Sequence, residues 1–151
     1  MTDRASTFVY VTYIKTTPER VWSALTDPEI MPKYWFGVHQ ESDWKPGSDW
    51  KMILADGRVA DAGKVIEIEP NKRLVLEWTN QFRPELKAEG ASRCVLEIEP
   101  HAEGVVKLTV THGIDVPQSK LVEAVSGGWP RIFANLKSML ETGEPLMVEK
   151  V

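Results

Sequence analysis

The stretch SGGWPRIFANLKSML, residues 126–140, decides how this chain folds. Its apolar residues recur at the three- and four-residue spacing of one helix face, and Leu121 and Val125 extend that face upstream. The spacing predicts one long helix over about 119–141. We expect a kink near Pro130, because two glycines precede it and proline removes a backbone hydrogen bond. A helix with such an apolar face must cover another apolar surface.

The chain before this helix predicts that surface, an antiparallel sheet. Runs rich in β-branched and aromatic residues are typical of strands, and Asp56-Gly57 is a strong hairpin turn between two of them. Short turns between consecutive strands favour an antiparallel meander. A longer polar loop is expected at 80–91. The predicted strands cover 6–16, a weaker segment at 38–43, the hairpin arms 48–54 and 58–69, and then 72–79, 92–99 and 105–112.

Two short helices are predicted after the first strand. Residues 17–27 form the first, because Thr17 can cap it and Pro18 suits its first position. The proline-bounded residues 28–37 predict a second helical turn, and Gly143 suits the end of the long C-terminal helix. The order of elements predicts an α+β fold.

Alternation along the later strands predicts which face of the sheet is buried. Residues of one parity are apolar until the last of them, His112, whereas the other parity is charged or hydroxylated. Glu67, Glu69, Glu97 and Glu99 therefore belong to a solvated surface rather than to paired catalytic carboxylates. The residues assigned to the inner face are Ile66, Ile68, Leu74, Leu76, Trp78, Cys94, Leu96, Ile98, Val106, Leu108, Val110 and His112.

Composition and charge argue against several classes of function. The chain has 151 residues, a net charge of −4 and no cluster of Lys and Arg, which argues against nucleic-acid binding. No apolar run approaches the roughly 18–20 residues that span a bilayer, and the N-terminus lacks a signal-peptide pattern. Cys94 is the single cysteine, so no internal disulfide is possible and a reducing cytoplasm is expected. We therefore predict one cytoplasmic domain over 1–151, without nucleic-acid or membrane partners.

Five segments give the chain a family resemblance. They are TPERVWSALTDPE (17–29), YWFG (34–37), GKVIEIEPNKRLVLEW (63–78), LTVTHG (108–113) and GGWPRIFANLKSMLETGEPL (127–146). Together they resemble the family of activator of heat-shock protein 90 ATPase homologues, within the START/Bet v 1-like (SRPBCC) superfamily. The resemblance covers nearly the whole chain and implies a helix-grip fold, in which a curved antiparallel sheet wraps around a long C-terminal helix. It also implies an apolar cavity between sheet and helix.

The resemblance does not imply one activity. The superfamily includes lipid carriers, hormone receptors, polyketide cyclases and co-chaperone domains, and fold alone does not give function. The chain lacks a glycine-rich phosphate loop, His-Glu-x-x-His, Cys-x-x-Cys and Gly-x-Ser-x-Gly. His39, His101 and His112 have no metal-ligand spacing. We therefore predict no metal, no cofactor and no catalytic residue.

Inward-pointing residues near one edge of the sheet and on the long helix are the candidates for a ligand cavity. They are Trp35, Leu54, Trp78, Cys94, His112, Trp129, Phe133 and Leu136. Two interpretations stay open, because these side chains either line a cavity or fill a solid core. His112 is likewise either a titratable group at a pocket mouth or a core histidine bonded to its neighbours. Asp56, Arg58 and Asp61, around the hairpin turn, are interpreted as solvated.

The leading hypothesis is a non-catalytic binding protein for a small apolar or amphipathic molecule held between sheet and helix. A chaperone-interacting module and a small enzyme of cyclase or hydrolase type that uses His112 are the alternatives. No second catalytic residue is visible to pair with His112, so the sequence favours the non-catalytic hypothesis. The regular first strand leaves open a homodimer, through a sheet edge or through the exposed helix.

Overall fold

In a computed structural model, which describes residues 5–147, a curved seven-stranded antiparallel sheet packs against a long C-terminal helix. Along the chain the elements are β1 (Ser6–Lys15), α1 (Pro18–Thr26), α2 (Met31–Tyr34), β2 (His39–Ser42), β3 (Asp49–Ile53), β4 (Val59–Glu69), β5 (Arg73–Asn80), α3 (Pro84–Lys87), β6 (Ser92–Ala102), β7 (Val105–Ile114) and α4 (Lys120–Thr142). The strands lie in the order β1-β7-β6-β5-β4-β3-β2. The predicted α+β, helix-grip fold is confirmed. The ends of the predicted domain, 1–4 and 148–151, lie outside the described residues.

The helices begin and end where local chemistry dictates. Oγ1 of Thr17 accepts a hydrogen bond of 3.2 Å from the backbone N–H of Arg20, and a proline begins α1. At the start of α4, Oγ of Ser119 accepts a hydrogen bond of 3.1 Å from the backbone N–H of Val122. Gly143 ends α4 with a φ of +93°, a left-handed conformation that favours glycine.

The long predicted helix is present as α4. It runs without a break for 23 residues, with Pro130 inside it, and its boundaries differ from the prediction by one residue at each end. One amphipathic face carries its buried residues, among them Trp129, Phe133 and Leu136. Neither α4 nor any other helix within residues 5–147 is long and apolar enough to cross a membrane.

A β-bulge in β4 overturns part of the predicted inner face. The register between β4 and β5 shifts between Val65 and Glu67, so the residues on its two sides alternate in opposite phase. Val65 is fully buried, whereas Ile66, which was predicted to face inward, is 39% exposed. Asp61 shares the parity of Val65 and is only 6% exposed. The interpretation of Asp61 as a solvated residue is therefore wrong, for the same reason as that of Ile66.

The predicted loop 80–91 contains a short helix, α3, which the sequence analysis missed. Leu86 in α3 is buried and packs under α4 against Leu121. The carboxylate of Glu89, just after α3, accepts hydrogen bonds from the Ser119 hydroxyl and from two backbone N–H groups in the first turn of α4. This part of the loop is therefore bonded to the start of α4.

Candidate functional site

A cleft opens between α4, the β3–β4 hairpin and the end of β5. It consists of two adjoining pockets with volumes of about 460 Å³ and about 220 Å³. We call the two pockets together the cleft, because six residues line both: Trp35, Met52, Asp61, Asn80, Gly128 and Ile132. Small-molecule sites have volumes of roughly 300–1,000 Å³, so the cleft can hold such a molecule.

A glycine of α4 keeps part of this space open. Gly128 lines both pockets, and a Cβ built on it meets no atom within 4 Å. The neighbouring Gly127 has equally open surroundings but lines neither pocket. A side chain at position 128 would therefore project toward the cleft, whereas one at position 127 would not line it.

The structure places four of the eight predicted cavity residues on the cleft: Trp35, Leu54, Trp78 and Trp129. The other four line neither pocket and are at most 1% exposed, so they belong to the packed core beneath it: Cys94, His112, Phe133 and Leu136. The space between sheet and helix is thus hollow at the hairpin end and solid farther in.

Tryptophan side chains form the inner wall of the cleft. The ring of Trp129 lies 5.5 Å from that of Trp35 and 5.9 Å from that of Trp78, measured between centroids, and both pairs meet edge to face. Trp78 also packs against the fully buried Trp50, with 4.7 Å between the ring centroids. Aromatic pairs in this geometry are mutually attractive, so the wall is apolar and held in place by its own contacts.

Asp61 places a carboxyl group in this apolar wall. It lines both pockets, and its Oδ1 accepts hydrogen bonds from Nε1 of Trp78 at 2.8 Å and from Nδ2 of Asn80 at 3.1 Å. Burial raises the pKa of this carboxyl to about 6, and the two hydrogen bonds oppose that rise. At neutral pH the cleft therefore contains a largely ionised carboxylate whose hydrogen-bond donors are both neutral.

Sequence reasoning missed Asp61 because its direction depends on the bulge. The register pairs Asp61 with Asn80 and Gly63 with Trp78, which brings the carboxyl beside both donors. The available signal was Val65, an apolar residue of the same parity, but it conflicted with the parity of Ile66 and Ile68. Other cleft residues missed by the sequence analysis are Phe36, Val38, Met52, Asn80, Gly128 and Ile132.

His112 lies in the core, next to the tryptophan wall. Trp129 Nε1 donates to His112 Nδ1 at 3.2 Å, and His112 Nε2 lies 2.9 Å from Ser92 Oγ. The Ser92 hydroxyl donates to the carbonyl oxygen of Trp78 at 2.8 Å, so His112 Nε2–H must be the donor to Ser92. Both ring nitrogens of a neutral imidazole are thus used. Burial lowers the pKa of His112 to about 3, so the neutral form persists at neutral pH.

Charged side chains stand at the rim of the cleft. Nε of Arg58 lies 2.7 Å from Oδ2 of Asp56, and its guanidinium lies 4.6 Å from the ring centroid of Phe82. Arg58 and Asp56 are both exposed, as the sequence analysis expected. Nε of Arg131 donates to the carbonyl oxygen of Gly127 at 3.2 Å. Within residues 5–147, no three His, Cys, Asp or Glu side chains are grouped so as to hold a metal ion.

Solved structures with the same fold come from several organisms. Protein MLL2253 from Mesorhizobium loti is 24% identical with a TM-score of 0.76, and the match covers 89% of this chain and 96% of that one. PFC0360w, an HSP90 activator from Plasmodium falciparum, is 22% identical with a TM-score of 0.69 and coverage of 88% and 92%. The Aha1 dimer from Colwellia psychrerythraea is 19% identical with a TM-score of 0.72 and coverage of 91% and 98%. At these identities the similarity establishes a shared fold.

The family is shown by the sequence itself. The pattern of the family described as Activator of Hsp90 ATPase homolog 1-like protein matches residues 15–141, from the end of β1 almost to the end of α4. Comparison with the curated proteins finds no match. The resemblance to this family drawn from the sequence is confirmed, and the chain belongs to the Activator of Hsp90 ATPase homolog 1-like family.

Proposed function

We propose that this protein binds a small, mostly apolar or amphipathic molecule in the cleft. The observation that carries the proposal is an unfilled space of about 460 Å³ beside a tryptophan wall, in a chain whose remaining core is packed. A concave site of this volume, with apolar walls and a few polar groups, has the usual form of a small-molecule binding site. An amphipathic molecule fits better than a pure hydrocarbon, because a hydrocarbon would displace water from the Asp61 carboxylate without offering it a hydrogen bond.

Native mass spectrometry of gently purified protein, compared with its denatured mass, tests this proposal. The expected result is an excess mass that denaturation releases. A second measurement uses the neutral apolar dye N-phenyl-1-naphthylamine, whose fluorescence rises when it enters an apolar site. Saturable, one-to-one dye binding supports the proposal. A clean apo mass together with no saturable dye binding overturns it.

The enzyme hypothesis receives less support than binding. It rested on His112, and both ring nitrogens of that residue are engaged by Trp129 and Ser92 in the core. An acid or base must reach the proton that it transfers, and His112 lines neither pocket of the cleft. The geometry therefore favours a structural role for His112.

A chaperone-interacting role is a second candidate, favoured by the outer face of β1. Three apolar side chains share that face and are exposed: Val9 by 55%, Val11 by 38% and Tyr13 by 44%. Single exposed apolar residues are common on protein surfaces, whereas a contiguous row of three is typical of an interaction surface. The family is named for activation of Hsp90 ATPase, and the Plasmodium falciparum relative is described as an HSP90 activator. The test is the ATPase rate of purified Hsp90 with the wild-type chain and with Val9→Ser/Val11→Ser. A rate unchanged by the wild type excludes this candidate.

We also propose that the protein forms a homodimer and lies in the cytoplasm. The Colwellia psychrerythraea relative is described as a dimer, and β1 is an edge strand of the sheet. The native mass spectrum that tests for a ligand also reports the oligomeric state. Cys94 is a free, buried thiol, which suits a reducing compartment.

A further inference from the structure

We propose that the cleft selects an organic cation: a molecule whose apolar body lies against the tryptophan wall and whose protonated amine binds the Asp61 carboxylate. This inference rests on the proposed function, because it names the chemical class of the ligand for the same site. It goes further, since the space alone would accept any apolar molecule of suitable size.

One of the two carboxylate oxygens of Asp61 has no hydrogen-bond partner within residues 5–147. Oδ1 accepts both hydrogen bonds, from Trp78 and Asn80. Oδ2 makes no hydrogen bond with any residue in 5–147. It is not fully buried, so it remains accessible from the cleft. Because Asp61 lines both pockets, Oδ2 is the atom that a ligand in the cleft can reach.

The charged side chains around Asp61 are already bonded to other groups. The charged side chains that line the same pockets are Asp56, Arg58, Arg83 and Arg131. Arg58 pairs with Asp56 at 2.7 Å, and Arg83 pairs with Glu85 at 3.2 Å. Arg131 is bonded through Nε to a backbone carbonyl of α4. Within residues 5–147 no ion pair joins Asp61 to another side chain, so its carboxylate has no cationic group in direct contact.

The tryptophan rings beside the Asp61 carboxylate also favour a cation. Trp78 and Trp129 contribute aromatic rings to the same pocket as Asp61, and Trp35 lines both pockets with it. Aromatic rings attract cations through their π faces, and the attraction is strongest for tryptophan. A carboxylate beside several tryptophans therefore favours an ammonium group over a neutral hydroxyl and disfavours an anion.

Isothermal titration calorimetry with two probes of nearly equal shape tests this inference. The probes are 2-(2-naphthyl)ethylamine, which is a cation at pH 7.5, and 2-(2-naphthyl)ethanol, which is neutral. We expect the amine to bind the wild-type chain about tenfold more tightly or better, as for a charge-assisted hydrogen bond. In Asp61→Asn the preference should vanish. Glu69→Gln is the matched control, because it removes one negative charge from the exposed far end of the same strand and should retain the preference.

A pH titration of the wild-type chain provides the same test without a substitution. Affinity for the amine should fall by about tenfold as the pH is lowered from 7.5 to 5 and Asp61 takes up a proton, whereas affinity for the alcohol should not change. Equal affinities for amine and alcohol overturn the cation inference and still support the proposed function. A preference for the amine that survives Asp61→Asn also overturns it, because the cation then binds elsewhere. If neither probe binds while the neutral dye does, the cation inference alone fails.

Discussion

The indole N–H of Trp129 donates a hydrogen bond of 3.2 Å to Nδ1 of His112, which joins the middle of α4 to the inner face of β7. The connection continues from His112 through the Ser92 hydroxyl to the carbonyl oxygen of Trp78. Two of the tryptophans that line the cleft are thus held by one chain of buried hydrogen bonds. Such networks are stabilising only while every member has its partner.

The first prediction concerns acid sensitivity through His112. Its pKa is about 3 in the folded chain and about 6.5 when unfolded, so between these values only the unfolded state takes up a proton. The contribution to stability is complete above about pH 6.5 and is lost as the pH falls below it. Urea denaturation of the wild type and of His112→Ala at pH 7.5 and pH 5 measures this. We expect His112→Ala to be about 2–4 kcal/mol less stable at pH 7.5, and this difference should shrink at pH 5.

His101→Ala is the matched control for that experiment, since His101 is exposed at the β6–β7 turn. It should change the stability by less than about 0.5 kcal/mol at either pH. Equal stability of the wild type and His112→Ala at pH 7.5 would contradict the structural role assigned to His112.

The second prediction has the opposite sign and concerns Asp61. Its pKa is raised from the ordinary 3.8 to about 6, so the folded state holds this proton more tightly than the unfolded state does. The contribution of Asp61 to stability is therefore fully present below about pH 4 and is lost as the pH rises through about 6. Asp61→Asn imitates the protonated form, and we expect it to raise the stability at pH 7.5 by roughly 2 kcal/mol and to leave it unchanged near pH 4.

Thermal or urea denaturation at the two pH values checks the second prediction, with Glu69→Gln as the control for the loss of one charge. A variant Asp61→Asn that is less stable than the wild type at pH 7.5 contradicts it. A residue that lowers stability in its functional charge state is typical of a binding site, where selection acts on the ligand as well as on the fold.

The third prediction uses the two glycines of α4 as a matched pair. Gly128→Leu should abolish binding of N-phenyl-1-naphthylamine, because its side chain enters the cleft, whereas Gly127→Leu should leave binding unchanged. Both substitutions remove a helical glycine, so both should keep or raise the stability, by up to about 1 kcal/mol. Dye binding that is equal in the two variants would mean that the dye binds outside the cleft.

The fourth prediction concerns the close approach of β4 and β5. A Cβ built on Gly63 lies 1.8 Å from the carbonyl oxygen of Glu77, which is far below van der Waals contact. Gly63→Ala must push the two strands apart next to the bulge, and we expect a loss of about 3 kcal/mol or more. Gly127→Ala, which meets no atom within 4 Å, is the control and should not be destabilising. Urea denaturation measures the stability of both variants. A Gly63→Ala chain that is as stable as the wild type contradicts the pairing register of β4 and β5.

Local signals in the sequence were sufficient for the fold. Thr17 marks the start of α1 through its side-chain hydroxyl, and Gly143 marks the end of α4 through its left-handed backbone. The Asp56-Gly57 turn forms the hairpin, so these features needed no tertiary information. The helix α3 was missed because four residues carry too little periodicity to be recognised, and its stability comes from burying Leu86 under α4.

The cleft was harder to predict than the fold. Large inward-facing side chains could be identified from strand parity, as for Trp78, or from helical spacing, as for Trp129. Neither pattern distinguishes a residue that lines a cavity from one that fills the core. Phe133 and Leu136 share the α4 face of Trp129, yet they lie in the solid core. Asp61 could not be identified because the bulge between Val65 and Glu67 reverses the side to which it points.

The hydrogen bonds between Glu89 and the first turn of α4 hold one side of the cleft more firmly to the helix than the other side. On one side, three hydrogen bonds join Glu89, three residues after Leu86, to the start of the helix that roofs the cleft. On the other side, the Asn135 amide of α4 donates to the carbonyl oxygen of Tyr34 at 3.2 Å and so holds the segment that begins at Trp35. No hydrogen bond joins the hairpin tip around Gly57 to α4 within residues 5–147. We therefore expect a molecule bound in the cleft to enter and leave past the hairpin tip. The residence time of such a molecule will be set by how often that tip moves aside, rather than by the strength of its contacts with the tryptophan wall alone.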